Sequence, residues 1–307
     1  MDDTKWFIGF LLIFGIIWLS GKSTATRRAS EHASSTPQAQ VVPAKPSSQA
    51  KPKKAESLRV PASTVISESE LPGGVLPEVS PLRGKLTIST VNRGVVEKEY
   101  VIIRASTKNT SDINITGLTL RSGVSLNGQT IGKGWSMFYP TNEGTGDPIL
   151  LRPGGRVYLL SGHSPLGQAV PLRGGFQLNL CTGYMEQGRT FYPSLPRECP
   201  RPKDGPLPLP PNQLSDDCYD YLGKVPRCVV LSSVPKNLES DGSCRAYLFN
   251  RINYNQCVTD YKNAPNFFKG EWRVYFGRST RLWRDKREIV ELVDVDGKLI
   301  DSRRYGY

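Results

Sequence analysis

Six cysteines, two histidines and one run of arginines are the side chains of this 307-residue chain whose types and spacing could do chemistry. A thiol nucleophile would need Cys181 beside His163, because the other histidine, His32, sits in a Ser/Ala/Pro tract and cysteine attacks only as a thiolate held near a base. Cys181 reads instead as half of a disulfide, and His163 as a loop residue in SGHSP. Two histidines cannot make a multi-His metal site. Asp294-Val295-Asp296-Gly297 looks like part of a calcium loop. Leu292 stands where that loop needs its preceding Asp, and no Glu closes it at the right distance, so the reading is a hairpin tip. Gly21-Lys22-Ser23 matches the end of a phosphate loop, but Gly15 leaves five residues where the pattern has four, and an apolar stretch rather than a strand precedes it. Paired carboxylates for glycoside hydrolysis are set by spatial distance, and nothing singles out two of the 21 acids of the body. No catalytic residue, cofactor-binding residue or metal ligand is assigned, and the chain reads as a non-enzyme.

Cys181, Cys199, Cys218, Cys228, Cys244 and Cys257 all fall within one interval, in an even number and without a CxxC pair. Structural zinc usually draws two ligands from one tight turn, so this pattern argues for disulfides and an oxidising compartment. Three intradomain bridges are expected; six cysteines allow 15 connectivities, and neighbour pairing, such as Cys218 with Cys228, is one guess.

The run EWRVYFGRSTRLWRDKRE at 271–288 interleaves Arg273, Arg278, Arg281, Arg284, Lys286 and Arg287 with Trp272, Tyr275, Phe276 and Trp283. Between Arg273 and Arg287 only Asp285 opposes those six charges, within a body of 30 Lys and Arg against 21 Asp and Glu, net +9. Such a mixture can hold polyanions through charge and stacking. Period two, however, puts Trp272, Val274 and Phe276 on one face and Arg273 and Tyr275 on the other. The aromatics therefore read as core, leaving the cations as a solvated basic face or a weak, sequence-indifferent polyanion or nucleic-acid surface. If about four phosphates were neutralised there, the log–log salt slope would be near −3 to −4. Replacing Arg278, Arg281 and Arg284 with Gln should then leave stability nearly unchanged.

The elements that must position these groups follow from composition shifts along the chain. Residues 1–21 contain WFIGFLLIFGIIWL at 6–19, uncharged and ended by Trp6 and Trp18, which reads as a membrane anchor. Ser23 and Ala25 keep a cleaved signal peptide open as the lesser alternative. The cations Lys22, Arg27 and Arg28 outnumber Lys5 and by the positive-inside rule would retain the body in the cytoplasm. The cysteines and the tiny N-terminal tail argue that the body lies outside. Residues 22–83 are Ser/Ala/Pro/Lys-rich, with nine Lys and Arg against five Asp and Glu, and read as a disordered, flexible linker.

From residue 84 to 307 the hydrophobic period is two. LTISTV, EYVIIRA, INITGLTL, ILLRPGGRVYLL, FQLNL, WRVYF, REIVELVDV and KLIDSRRY are short alternating or β-branched runs between turn residues, the pattern of an all-β sandwich. Asp296-Gly297 marks a two-residue hairpin between the last two. At about 181–266 the pattern lapses. Eight prolines between Pro193 and Pro211 rule out central strands there, so this Cys/Pro-rich segment reads as an insertion.

Three stretches carry a family resemblance: EYVIIRASTKNTSDINITGLTLRS at 99–122, LLRPGGRVYLL at 150–160 and REIVELVDVDGKLIDSRRY at 287–305. They resemble the strand, polar turn and strand, the Pro-Gly step, and the closing hairpin of the lamin-tail domain, an immunoglobulin-like β-sandwich found in nuclear lamins and in exported bacterial proteins. The resemblance implies a binding or structural adaptor and no catalytic residues; without a heptad rod, filament assembly does not carry over. The expectation is thus a membrane-anchored or exported non-enzymatic module at the cell surface, without cofactor. Its partners would be the membrane, through the N-terminal helix, and an unidentified protein or polysaccharide.

Overall fold

The computed structural model describes residues 78–139 and 144–306. The expected anchor or signal at 1–21 and nearly all of the 22–83 linker lie outside them. No helix among the described residues is long and apolar enough to cross a membrane.

The domain is mainly β, with three disulfides and a few short helices. One sheet contains six strands in the order β1 (Leu86–Asn92), β2 (Tyr100–Ala105), β8 (Arg156–Leu160), β10 (Phe268–Tyr275), β9 (Gly175–Asn179) and β6 (Gly134–Trp135). A second contains β12 (Leu299–Tyr305), β11 (Glu288–Val293), β4 (Thr119–Ser122) and β5 (Gly128–Thr130), and β3 (Ile113–Asn114) pairs β7 (Leu150–Leu151). Alternation decides what each strand buries. Val101 and Ile103 of β2, Val157 and Leu159 of β8, and Trp272 and Val274 of β10 enter one apolar core. Leu120 of β4, Val290 and Leu292 of β11 and Ile300 of β12 enter it too. Each fully buried aliphatic side chain there contributes about 1.5–3 kcal/mol.

The edges of the two larger sheets are stitched together. Strand β1 carries a bulge between Ile88 and Thr90. There the Ile88 N–H donates to Asp301 Oδ2 of β12 at 2.6 Å, while Arg303 of β12 donates to the Ile88 and Ser89 carbonyls. An edge left open would invite pairing with other chains. The body also begins earlier than the expected boundary at 83/84. Val79 bridges Leu299, Ser80 N–H donates to Leu299 O at 3.0 Å, and Glu78 pairs with Lys298 at 2.6 Å. These bonds are long-range, so local composition could not reveal them.

The Cys/Pro-rich segment connects β9 to β10, which are antiparallel neighbours. Its base is closed, with Leu180 N–H donating to Phe267 O at 2.8 Å. Inside it lie three helices, α1 (Asp216–Leu222), α2 (Gly242–Arg251) and α3 (Tyr254–Tyr261), which correct the expectation of a purely β chain. They surround a second core that contains all six cysteines, Leu222, Leu248, Val258 and Phe267. A third cluster places Phe138, Met185, Phe191 and Leu195 over Leu160, Phe176, Leu178 and Tyr275. The β9–β10 side of the six-stranded sheet is therefore covered on both faces.

Candidate binding site

The cysteines pair as Cys181–Cys257, Cys199–Cys228 and Cys218–Cys244. All six are bonded, as the even count led one to expect, but the neighbour guess of Cys218 with Cys228 is wrong. Capping explains why. Ser215 caps α1 by accepting from the Cys218 N–H, Asp241 caps α2 by accepting from the Cys244 N–H at 2.8 Å, and the Ser215 hydroxyl donates to Asp241 Oδ2 at 2.7 Å. Two helix N-termini are thereby held side by side, with a cysteine in the same place on each. These bonds hold the Asp241 carboxyl below the usual carboxylate range, the Cys244 N–H most of all. Cys181 is a disulfide sulfur and offers no thiolate to His163.

The basic run is dispersed by the fold. Arg273 is only 3% exposed, with its guanidinium 3.8 Å above the Tyr158 ring and one nitrogen 2.9 Å from Glu271 Oε1. That contact is one of charge rather than an aligned hydrogen bond, and the Arg273 Nε and Nη1 have no hydrogen-bond partner among the described residues. Glu271 also accepts from Arg156 Nε. Arg273 is thus removed from the expected polyanion surface, because the face it shares with Tyr275 is covered by the insertion. Arg278 donates to the Thr280 carbonyl and hydroxyl, both at 3.1 Å. Arg281 stands between Asp285 at 2.6 Å and the fully buried Glu99 at 3.4 Å. Arg284, Lys286 and Arg287 remain exposed, with no ion pair among the described residues. Trp272, Phe276 and Trp283 are core residues.

The Asp294-Val295-Asp296-Gly297 segment is a hairpin tip, but Asp294 pairs with Lys298, so the loop holds three residues, Val295, Asp296 and Gly297, rather than the expected two. Asp294 Oδ1 accepts from the Asp296 and Lys298 N–H groups at 3.0 and 2.9 Å, and Gly297 takes a positive φ of 80°. Among the described residues no cluster of three His, Cys, Asp or Glu is placed to hold a metal ion.

What the sequence did not bring together is a cleft of about 370 Å³ at the C-terminal end of β10. It is lined by His163, Val170, Leu172, Arg173 and Tyr275. Backbone bonds set its walls: Tyr275 N–H donates to Gly174 O at 2.9 Å, and Gly277 N–H to Gly162 O at 3.0 Å. Gly174 N–H donates to Pro171 O at 2.9 Å, closing a turn in which Arg173 has φ of 54°, a position that ordinarily takes Gly or Asn. Glycine is required next to it, since a Cβ on Gly174 would lie 1.8 Å from Lys133 O and one on Gly175 1.7 Å from Arg273 O. The Tyr275 ring is 5% exposed and stacks on Phe176; burial pushes its hydroxyl well above the usual tyrosine range, so it stays a donor. No motif announced this site, because its residues come from two stretches about 100 residues apart, 163–173 and 275–277.

No family model, curated protein or solved structure matches this chain.

Proposed function

We propose that the chain is an exported, non-enzymatic binding module: an immunoglobulin-like, lamin-tail-like β-sandwich carrying a disulfide-stapled insertion, anchored outside the membrane by its N-terminal segment. The observation that carries the export reading is the full pairing of six cysteines around one small core, because such bridges persist in oxidising compartments and are reduced in the cytosol. Two sheets facing one apolar core, with 287–305 forming the closing hairpin, support the sandwich reading. A cleft with cationic and hydroxyl groups, and the exposed cations Arg284, Lys286 and Arg287 elsewhere, support binding as the task of the surface. Intact cells of the source organism provide the test. An impermeant thiol reagent should label the protein only after an impermeant reductant is applied. Six thiols alkylated without reduction would overturn the reading.

A second reading, binding to nucleic acid or an acidic envelope polymer, is favoured by Arg284, Lys286 and Arg287, which are exposed and unpaired among the described residues. With Arg273 buried, Arg281 committed to Asp285 and Glu99, and Arg278 half-buried and hydrogen-bonded to Thr280, three exposed charges are left, so the log–log salt slope on duplex DNA should be near −2 to −3. The triple variant Arg284→Gln, Lys286→Gln, Arg287→Gln should flatten it. An unchanged slope would remove this surface from consideration.

A further inference from the structure

We infer that the cleft at the end of β10 binds a small carboxylate carried on an apolar chain, with Arg173 and the Tyr275 hydroxyl as the polar partners and Val170 and Leu172 as the apolar wall. Three independent observations converge on it. The first is Tyr275, nine-tenths buried, lining the cleft, with a hydroxyl that has no hydrogen-bond partner among the described residues. The hydroxyl oxygen is not among the side-chain atoms sealed off without a partner, so it keeps access to the cleft, and an acceptor bound there can reach it.

The second is Arg173, a cation with no ion pair among the described residues, held in the left-handed backbone region by the turn bond to Pro171 O and by Gly132 N–H donating to its carbonyl at 2.8 Å. Glycine would adopt this conformation without strain. Strained, over-determined positions cluster at ligand clamps, and the exposed Arg173 guanidinium makes no hydrogen bond among the described residues. The third is Leu172, 84% exposed on the lip beside buried Val170, which offers apolar cover next to the charge.

A planar carboxylate satisfies this set best, since guanidinium presents paired donors to it and a protonated phenol adds another. The size of the cleft suits a small molecule rather than a polymer. His163, beside Gly277 in the lining, adds a further polar group.

The inference rests on the binding-module reading and is tested on the full, oxidised chain with octanoate as the probe and octan-1-ol as its uncharged counterpart. Calorimetry should show saturable octanoate binding at least tenfold tighter than octan-1-ol. Arg173→Gly should raise the melting temperature, by relieving the turn, while weakening octanoate at least tenfold. Tyr275→Phe, which keeps the ring stacked on Phe176, should weaken it severalfold without loss of cooperativity in unfolding. Equal affinity for the alcohol, undiminished binding by Arg173→Gly, a lower melting temperature for that variant, or no saturation by the wild type would each overturn the proposal. Consumption of the octanoate would instead overturn the non-enzymatic reading and leave the site standing.

Discussion

Glu99 is fully buried, and its carboxylate is met by donors from two distant segments: the Ser161 hydroxyl and the Leu282 N–H, each at 2.6 Å, and Arg281 at 3.4 Å. Arg281 in turn is kept charged first by Asp285 and then by Glu99. Removing one partner of a buried ion leaves the other uncompensated. Arg281→Gln should therefore cost about 2–3 kcal/mol in chemical denaturation, whereas the Arg284, Lys286 and Arg287 triple variant should stay within about 0.5 kcal/mol. Equal losses would show that Glu99 does not need its cation. Arg281, through its contact with buried Glu99, should be the exception to the expectation that Arg278, Arg281 and Arg284 can be neutralised without harm. Charge and spacing mark these residues as alike; only the position of Glu99, 182 residues away in sequence, distinguishes them.

At the scale of elements, the helices of the insertion escaped a reading based on aliphatic periodicity because their apolar stripe is written in other letters. In α2 the buried residues are Cys244, Tyr247 and Leu248, and in α1 Cys218 and Leu222, spaced at i, i+3 and i+4. Both helices depend on the Ser215–Asp241 cap pair. Asp241→Ala should cost about 1 kcal/mol, the worth of an N-cap, and should weaken two helices together. Acidification should act at the same place. Asp241 titrates below its unfolded value, so its contribution is present above about pH 4 and lost as pH falls through the lower, folded value. Asp294 behaves likewise, held down chiefly by the Ser80 hydroxyl. Wild-type stability should fall across that acidic window, and the fall should be shallower in Asp241→Ala. Parallel curves for the two proteins would refute the assignment.

For the whole molecule, the Cys/Pro-rich segment and the rest of the β domain share β9 and β10, so closure of the connection is a global matter. Cys181–Cys257 spans 76 residues, against 29 and 26 for the other two bridges. In the chain-entropy model the long loop contributes about 4.5 kcal/mol and each shorter one about 3.5 kcal/mol. Replacing Cys181 and Cys257 with Ser should consequently lower the denaturant midpoint more than replacing Cys218 and Cys244. The reverse order would mean that the capped helix pair, rather than the base, holds the insertion. Truncation before Arg287 should give aggregated protein, because β11 and β12 take Val290, Leu292 and Ile300 out of the core and unpair β4 and the bulged edge of β1. A soluble, cooperatively unfolding truncate would contradict that arrangement.

The sequence by itself determined the β-rich class, the eight runs that become the longer strands, the Asp296-Gly297 hairpin and the bonding of all six cysteines. Each of these is local or compositional: alternation over a few residues, a turn dipeptide, an even cysteine count. The tertiary structure alone decided which cysteines pair, which arginines of one run are buried, where the body begins, and that His163, Arg173 and Tyr275 share a cleft. Those outcomes rest on contacts between segments far apart in the chain, and on whether a given face of the six-stranded sheet meets solvent or the insertion. Hydrophobic periodicity specifies that a strand has two faces; only packing specifies what covers the second.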